Sequence, residues 1–132
     1  VSDSNFGSRN FDTLSTKADA LDKLGRTIEA SNAMDEAMKF ATVTQIHQYG
    51  RQLLQEHRFD RALYIFKMNA ELHPDVWPVN YGLARGLSGK GDYKAALEAL
   101  LKAQAQVPAG DAANAAAIKV NIDKLKRGLD IN

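Results

Sequence analysis

Lys90-Gly91-Asp92-Tyr93-Lys94-Ala95-Ala96-Leu97 is a tight turn between two helical patterns, and the earlier stretch Leu24-Gly25-Arg26-Thr27-Ile28-Glu29-Ala30 has the same build. The spacing around them is regular. Leu72-His73-Pro74 closes one helical pattern and Gln106-Val107-Pro108 closes the next, so the two prolines stand 34 residues apart. Sliding the chain by that interval lays Gly50 on Ala84, Leu53 on Leu87, Phe59 on Tyr93, Ala62 on Ala96 and Phe66 on Leu100. A fixed period of this length marks stacked supersecondary units, none of which can bury its apolar face alone. A third unit lies upstream, with Leu14, Ala18 and Leu21 before its turn and Met34 and Ala37 after it. It lacks the closing proline, and its Gly25 stands 32 residues from His57, the aligned turn position.

The residue types fit paired helices. The first helix of each unit needs a small residue where its partner packs close, which Ala18, Gly50 and Ala84 supply; the second needs another, supplied by Ala30, Ala62 and Ala96. Large residues at Leu21, Leu53, Leu87, Met34, Phe66 and Leu100 fill the gaps between neighbouring helices. Proline stops a helix because it has no amide hydrogen and clashes with the preceding turn. The pattern therefore predicts helices at about 11–24, 27–40, 43–56, 59–72, 77–90 and 93–106, with Pro78 tolerated in a first turn. After Pro108-Ala109-Gly110, Asp111 can cap a seventh helix whose stripe of Ala115, Ile118, Ile122 and Leu125 covers the last unit. Its Lys119, Asp123, Lys124, Lys126 and Arg127 would then face water, as the end of a solenoid requires.

Over residues 11–127 this pattern resembles the tetratricopeptide repeat (TPR) family, whose inter-helix turn consensus the 90–97 stretch follows closely. The resemblance implies an all-α TPR solenoid of three helix–turn–helix repeats (about 11–42, 43–76 and 77–110) plus a C-terminal capping helix at 111–127. A linker would occupy 1–10 and a short tail 128–132. Asn10-Phe11-Asp12-Thr13-Leu14-Ser15-Thr16-Lys17-Ala18, Ile46-His47-Gln48-Tyr49-Gly50-Arg51-Gln52-Leu53-Leu54, Gly82-Leu83-Ala84-Arg85-Gly86 and Leu129-Asp130-Ile131-Asn132 resemble more closely the C-terminal repeat region of exported bacterial proteins. Those carry a β-rich domain of unknown function on the N-terminal side. That likeness implies export, a periplasmic or similar location with the cytoplasm as the alternative, and a chain that is the tail of a longer protein. It brings no established activity.

Bulk properties narrow the functional classes. The 132 residues suffice for one domain with a substantial core, and 45% hydrophobic with 25% charged residues is an ordinary globular mixture. A net charge of +1 gives no strong pull toward nucleic acid or anionic lipid. No stretch approaches the roughly 20 apolar residues that insertion across a membrane needs. With no cysteine there is no disulfide, thiolate zinc site or cysteine nucleophile. His47, His57 and His73 lack metal-ligand spacing, and Ala84-Arg85-Gly86-Leu87-Ser88-Gly89-Lys90-Gly91 lacks the first glycine and final hydroxyl of a phosphate loop. No Ser, His and carboxylate arrangement suggests an enzyme, and neither a catalytic residue, a cofactor nor a metal is expected.

The TPR resemblance implies that the first helix of each repeat lines a concave groove, with its fifth and ninth positions facing the ligand. Those are His47 and Arg51 in the second repeat, Tyr81 and Arg85 in the third. Each pair is spaced i, i+4 and shares a helix face. The 34-residue offset stacks Tyr81 beside His47 and Arg85 beside Arg51, a set able to grip the carboxylates of an acidic peptide or a free C-terminus. In the alternative the arginines pair internally, with Asp19 of the first repeat neutralising Arg51. The lysine and asparagine with which chaperone-tail binders hold a carboxylate are replaced here by Ser15, His47 and Tyr81, then Asp19, Arg51 and Arg85. Gly82 and Gly86 either admit a ligand backbone or serve a tight helix contact, and Trp77 belongs at the seam between repeats. The expectation is a protein-interaction module for a polypeptide segment; the alternative is a structural domain that supports a missing N-terminal domain or self-associates as a homo-oligomer.

Overall fold

Four helix ends among the described residues close with the same pair of backbone hydrogen bonds. A computed structural model describes residues 3–132, with side chains from Asn10 onward. In it the Arg26 amide donates to the Leu21 carbonyl at 2.9 Å and the Gly25 amide to Asp22 at 3.0 Å. Arg58 to Leu53 (2.9 Å) and His57 to Leu54 (3.0 Å) repeat the pattern, as do Asp92 to Leu87 (3.0 Å) and Gly91 to Ser88 (2.9 Å). Leu129 to Lys124 and Gly128 to Leu125 close the last helix likewise. The corner residue is left-handed each time, with φ of 78° at Gly25, 59° at His57, 83° at Gly91 and 70° at Gly128. These paired bonds satisfy carbonyls that a helix end otherwise leaves open. Glycine makes the corner without a Cβ clash; His57 makes it with a side chain attached, at a local cost of roughly 1 kcal/mol.

The helices between these corners are α1 (Asp3–Lys23), α2 (Thr27–Met38), α3 (Val43–Gln55), α4 (Phe59–Leu72), α5 (Trp77–Gly89), α6 (Tyr93–Gln106) and α7 (Ala112–Lys126). Among the described residues there is no strand, and the protein is an all-α helical repeat. From α2 onward the boundaries fall within two residues of those read from the sequence. The exception is α1. It starts at Asp3, so the stretch assigned as a linker over 1–10 is helical from Asp3 on, while residues 1 and 2 lie outside the described part. No proline interrupts that stretch, and a single glycine in a helix costs only about 1 kcal/mol. Asp111 caps α7 as expected, accepting from the Asn114 amide at 3.2 Å, and Asp92 caps α6 through the Ala95 amide at the same distance.

Residues Val1–Thr44 and Gln45–Asn132 form two compact units. In the first, α1 and α2 pack as a hairpin, and Phe11, Ala18, Ala30, Met34 and Ala37 are buried. The second is organised around Phe66 of α4, which is fully buried. A Cβ on Gly50 of α3 would lie 2.6 Å from two carbons of its ring, and one on Gly82 of α5 would lie 2.8 Å away. At Gly86 it would stand 3.1 Å from the ring and 3.2 Å from the Leu63 Cα. The two α5 glycines thus serve a tight helix contact rather than a ligand backbone. Beyond them, Ala84, Ala96, Leu100, Ile118, Ile122 and Leu125 form the core of α5, α6 and α7. Leu87 is half-buried against that core rather than inside it. Leu21, in the first unit, is also only half-buried. Ala115, expected on the buried stripe of α7, is exposed, because the stripe starts one turn later at Ile118.

The 128–132 segment is not a loose tail. Ser88, buried near the end of α5, donates its hydroxyl to Asp130 at 2.5 Å and accepts from the Ile131 amide at 3.1 Å. Asn132 donates its side-chain amide to the Arg85 carbonyl at 2.8 Å, and Ile131 is buried in the α5–α7 core. At the opposite end of α5, Asn80 donates to the Pro74 carbonyl (2.9 Å) and to Gln106 (2.7 Å). Pro74 thereby tethers the hairpin that follows it.

Two outcomes test this packing. Gly50→Leu and Ala96→Leu each overfill a helix contact and should cost about 1–3 kcal/mol in denaturant unfolding; an unchanged midpoint for either means that contact is not close. His57→Gly should stabilise the protein by roughly 0.5–1 kcal/mol, because it removes a side chain from a left-handed corner.

Candidate functional site

Helices α3 and α5 bring the two predicted i, i+4 pairs to one place. His47, Arg51, Tyr81 and Arg85 border a single open hollow of about 230 Å³, shared with Trp77 and with Asn114 of α7. Arg51 is exposed, and the other three are half-buried. The Arg85 guanidinium lies over the Tyr81 ring, 4.6 Å from its centroid, a cation–π stack that fixes the long side chain across the helix face. Trp77 continues the row, its ring centroid 6.4 Å from that of Tyr81. The Tyr81 hydroxyl accepts from the Asn121 side-chain amide of α7. The phenol is thereby held from one side by α7 and covered on the other by Arg85.

Charge in the hollow is concentrated and of one sign. Desolvation by burial, then Arg51, then Arg85 lower the His47 pKa from its ordinary 6.5, so the imidazole is neutral at neutral pH. Burial also holds Arg85 below the usual guanidinium value; the Tyr81 phenol opposes that shift and Arg51 adds to it. Within the Gln45–Asn132 unit neither Arg51 nor Arg85 makes an ion pair with a carboxylate. His47 is pinned between α3 and α5: its ring meets Phe66 edge-on at 5.9 Å, and its Nδ1 is buried with no hydrogen-bond partner. That nitrogen faces the α5 backbone, where a Cβ on Gly82 would stand 3.0 Å from it.

Sequence reasoning identified the four residues on α3 and α5 but not those that complete the hollow. Trp77, expected at the seam between repeats, packs against the α5–α7 core and also lines the hollow. Asn114 and Ala117 of α7, which line the hollow, and Asn121, which donates to the Tyr81 hydroxyl, lie outside the sequence-based expectation. Their i, i+3, i+7 spacing beside the Ile118–Ile122 stripe was the available signal. Lys119, which continues the 34-residue series after Arg51 and Arg85, is exposed and does not border the hollow.

The three histidines stay apart, on α3, at the α3–α4 corner and directly after α4. Among the described residues no group of three His, Asp or Glu side chains could hold a metal ion. The segment echoing a phosphate loop is the end of α5 and its glycine corner. No described helix is long and apolar enough to cross a membrane. No protein-family model matches the chain, and no curated protein matches it.

The buried imidazole gives a pH signature. Well above pH 6.5 His47 is neutral in both folded and unfolded chains. As pH falls below that value the unfolded chain takes up the proton first, so the stability tied to neutral His47 is progressively lost. Wild type should therefore lose more thermal stability between pH 7.5 and 5 than His47→Gln does. Identical losses, or an imidazole NMR midpoint at or above 6.5, would contradict the placement of this side chain.

Proposed function

We propose that the chain is a TPR interaction module whose Gln45–Asn132 unit binds an extended polypeptide segment, its carboxylate held by Arg51 and Arg85. One observation carries this reading. Two guanidiniums, a neutral imidazole and a phenol border one hollow, and no carboxylate of the same unit forms an ion pair with either arginine. Guanidinium presents its donors in a planar fork that matches a carboxylate, and the stack on Tyr81 holds one fork ready. Asn114 and Trp77 add an amide and an aromatic face suited to a peptide backbone. The TPR assignment is supported by the 34-residue period, the small residues at the helix contacts and the repeated left-handed corner. A location in the bacterial envelope belongs to the same reading and is supported by the resemblance to exported proteins. No catalysis, metal or cofactor is part of it.

A titration of the whole chain with fluorescent acidic peptides tests this. Replacing Arg51 and Arg85 together by Ala should weaken binding about tenfold or more while the helical circular dichroism stays intact, and raising the salt concentration should weaken the wild type. Equal affinities for wild type and double variant would leave the structural or self-association role as the better account.

A further inference from the structure

Arg51 and Arg85 border a second hollow as well as the first. It holds about 300 Å³ and is walled by these two arginines, Leu54, His57, Phe59 and Asp130. We propose that the groove is a two-part site: the arginines hold a carboxylate on the Tyr81 side, and the second hollow takes a neighbouring apolar side chain of the same polypeptide. This rests on the reading of the groove as a polypeptide site and adds the sequence class it selects.

The chemistry of the walls argues for the apolar occupant. Leu54 is almost wholly buried, Phe59 is half-buried, and together they supply a hydrocarbon surface. Gly89 lets that surface form, since a Cβ there would lie 2.8 Å from the Phe59 ring and 3.4 Å from Leu54. Asp130 shares the hollow with the arginines. Its carboxylate oxygen accepts from the Ser88 hydroxyl and from both the backbone and side-chain amides of Asn132, at 2.5, 3.1 and 3.0 Å. The anion is therefore anchored to α5 and does not swing across to pair with an arginine. With one carboxylate engaged in the first hollow, the two guanidiniums are balanced by it and by Asp130, so neither a second carboxylate nor a lysine gains net attraction here, and either loses water on entering against Leu54 and Phe59. An uncharged apolar side chain has no such desolvation cost.

The test uses the full chain and synthetic peptides that share one glutamate and differ at a second residue, placed one, two or three positions away. With leucine at the best spacing, binding should be about tenfold tighter than with alanine, and glutamate or lysine should be weaker than leucine. Asp130→Asn keeps the hydrogen-bonding shape but removes the charge; it should narrow the gap between the leucine and glutamate peptides severalfold. Phe59→Ala, checked for retained helicity, should reduce the leucine advantage and leave the dependence on Arg51 and Arg85 in place. If leucine, alanine and glutamate peptides bind alike while binding still needs the arginines, the second hollow is no subsite and the carboxylate site stands alone. If Asp130→Asn leaves the leucine-to-glutamate ratio unchanged, Asp130 sets no preference. Failure of every acidic peptide to bind removes the second hollow together with the first.

Discussion

The Phe66 ring seated against Gly50, Gly82 and Gly86 is the contact on which the Gln45–Asn132 unit depends. An aromatic ring is the largest apolar body that α4 can insert, and it reaches the backbones of α3 and α5 only because three facing positions have no side chain. That close approach sets the spacing of the two helices. It also fixes how far apart their outward faces stand, and so brings His47 and Arg51 within reach of Tyr81 and Arg85. The imidazole of His47 rests on the same ring. The lining of the hollow and the core are thus two sides of one layer, and a change in Phe66 would move both.

The 34-residue period made most of the fold legible. Helices α2 to α7 fall where proline, glycine and the small residues put them, because each of those types has a strong and local physical reason for its place. The upstream extension of α1 was not readable: Asp3 to Asn10 has no apolar periodicity to distinguish helix from linker, and helix formation there violates no rule. The site was half legible. Residues on α3 and α5 follow from the repeat register, since i, i+4 spacing and the period together force them into one patch. Asn114, Asn121 and Asp130 do not, because α7 departs from the register and the 128–132 segment returns to α5 through long-range hydrogen bonds that leave no periodic trace.

His57 illustrates how repetition and local cost trade against each other. The same left-handed corner that Gly25 and Gly91 make freely is imposed on a histidine by the surrounding turn. The hydrogen bonds of that turn match those of its neighbours within 0.1 Å, so the backbone geometry is dictated by the hairpin and not by the residue occupying its corner. His57 also stacks edge-on with Phe59 and lines the second hollow, a contact that glycine would give up.

The return of residues 130–132 to α5 has a kinetic consequence. The main helix contacts join elements adjacent in the chain, so folding of the hairpins requires only short loops to close and belongs to the fast class of helical proteins. The bond between Ser88 and Asp130 spans 42 residues and closes the longer loop that contains α6 and α7. Docking of that segment thus draws on helices that close over shorter loops, and its release requires none of them to come apart. The amide of Ile131, protected by a single serine oxygen, should exchange with solvent through this local release, well before the helices that it covers come apart.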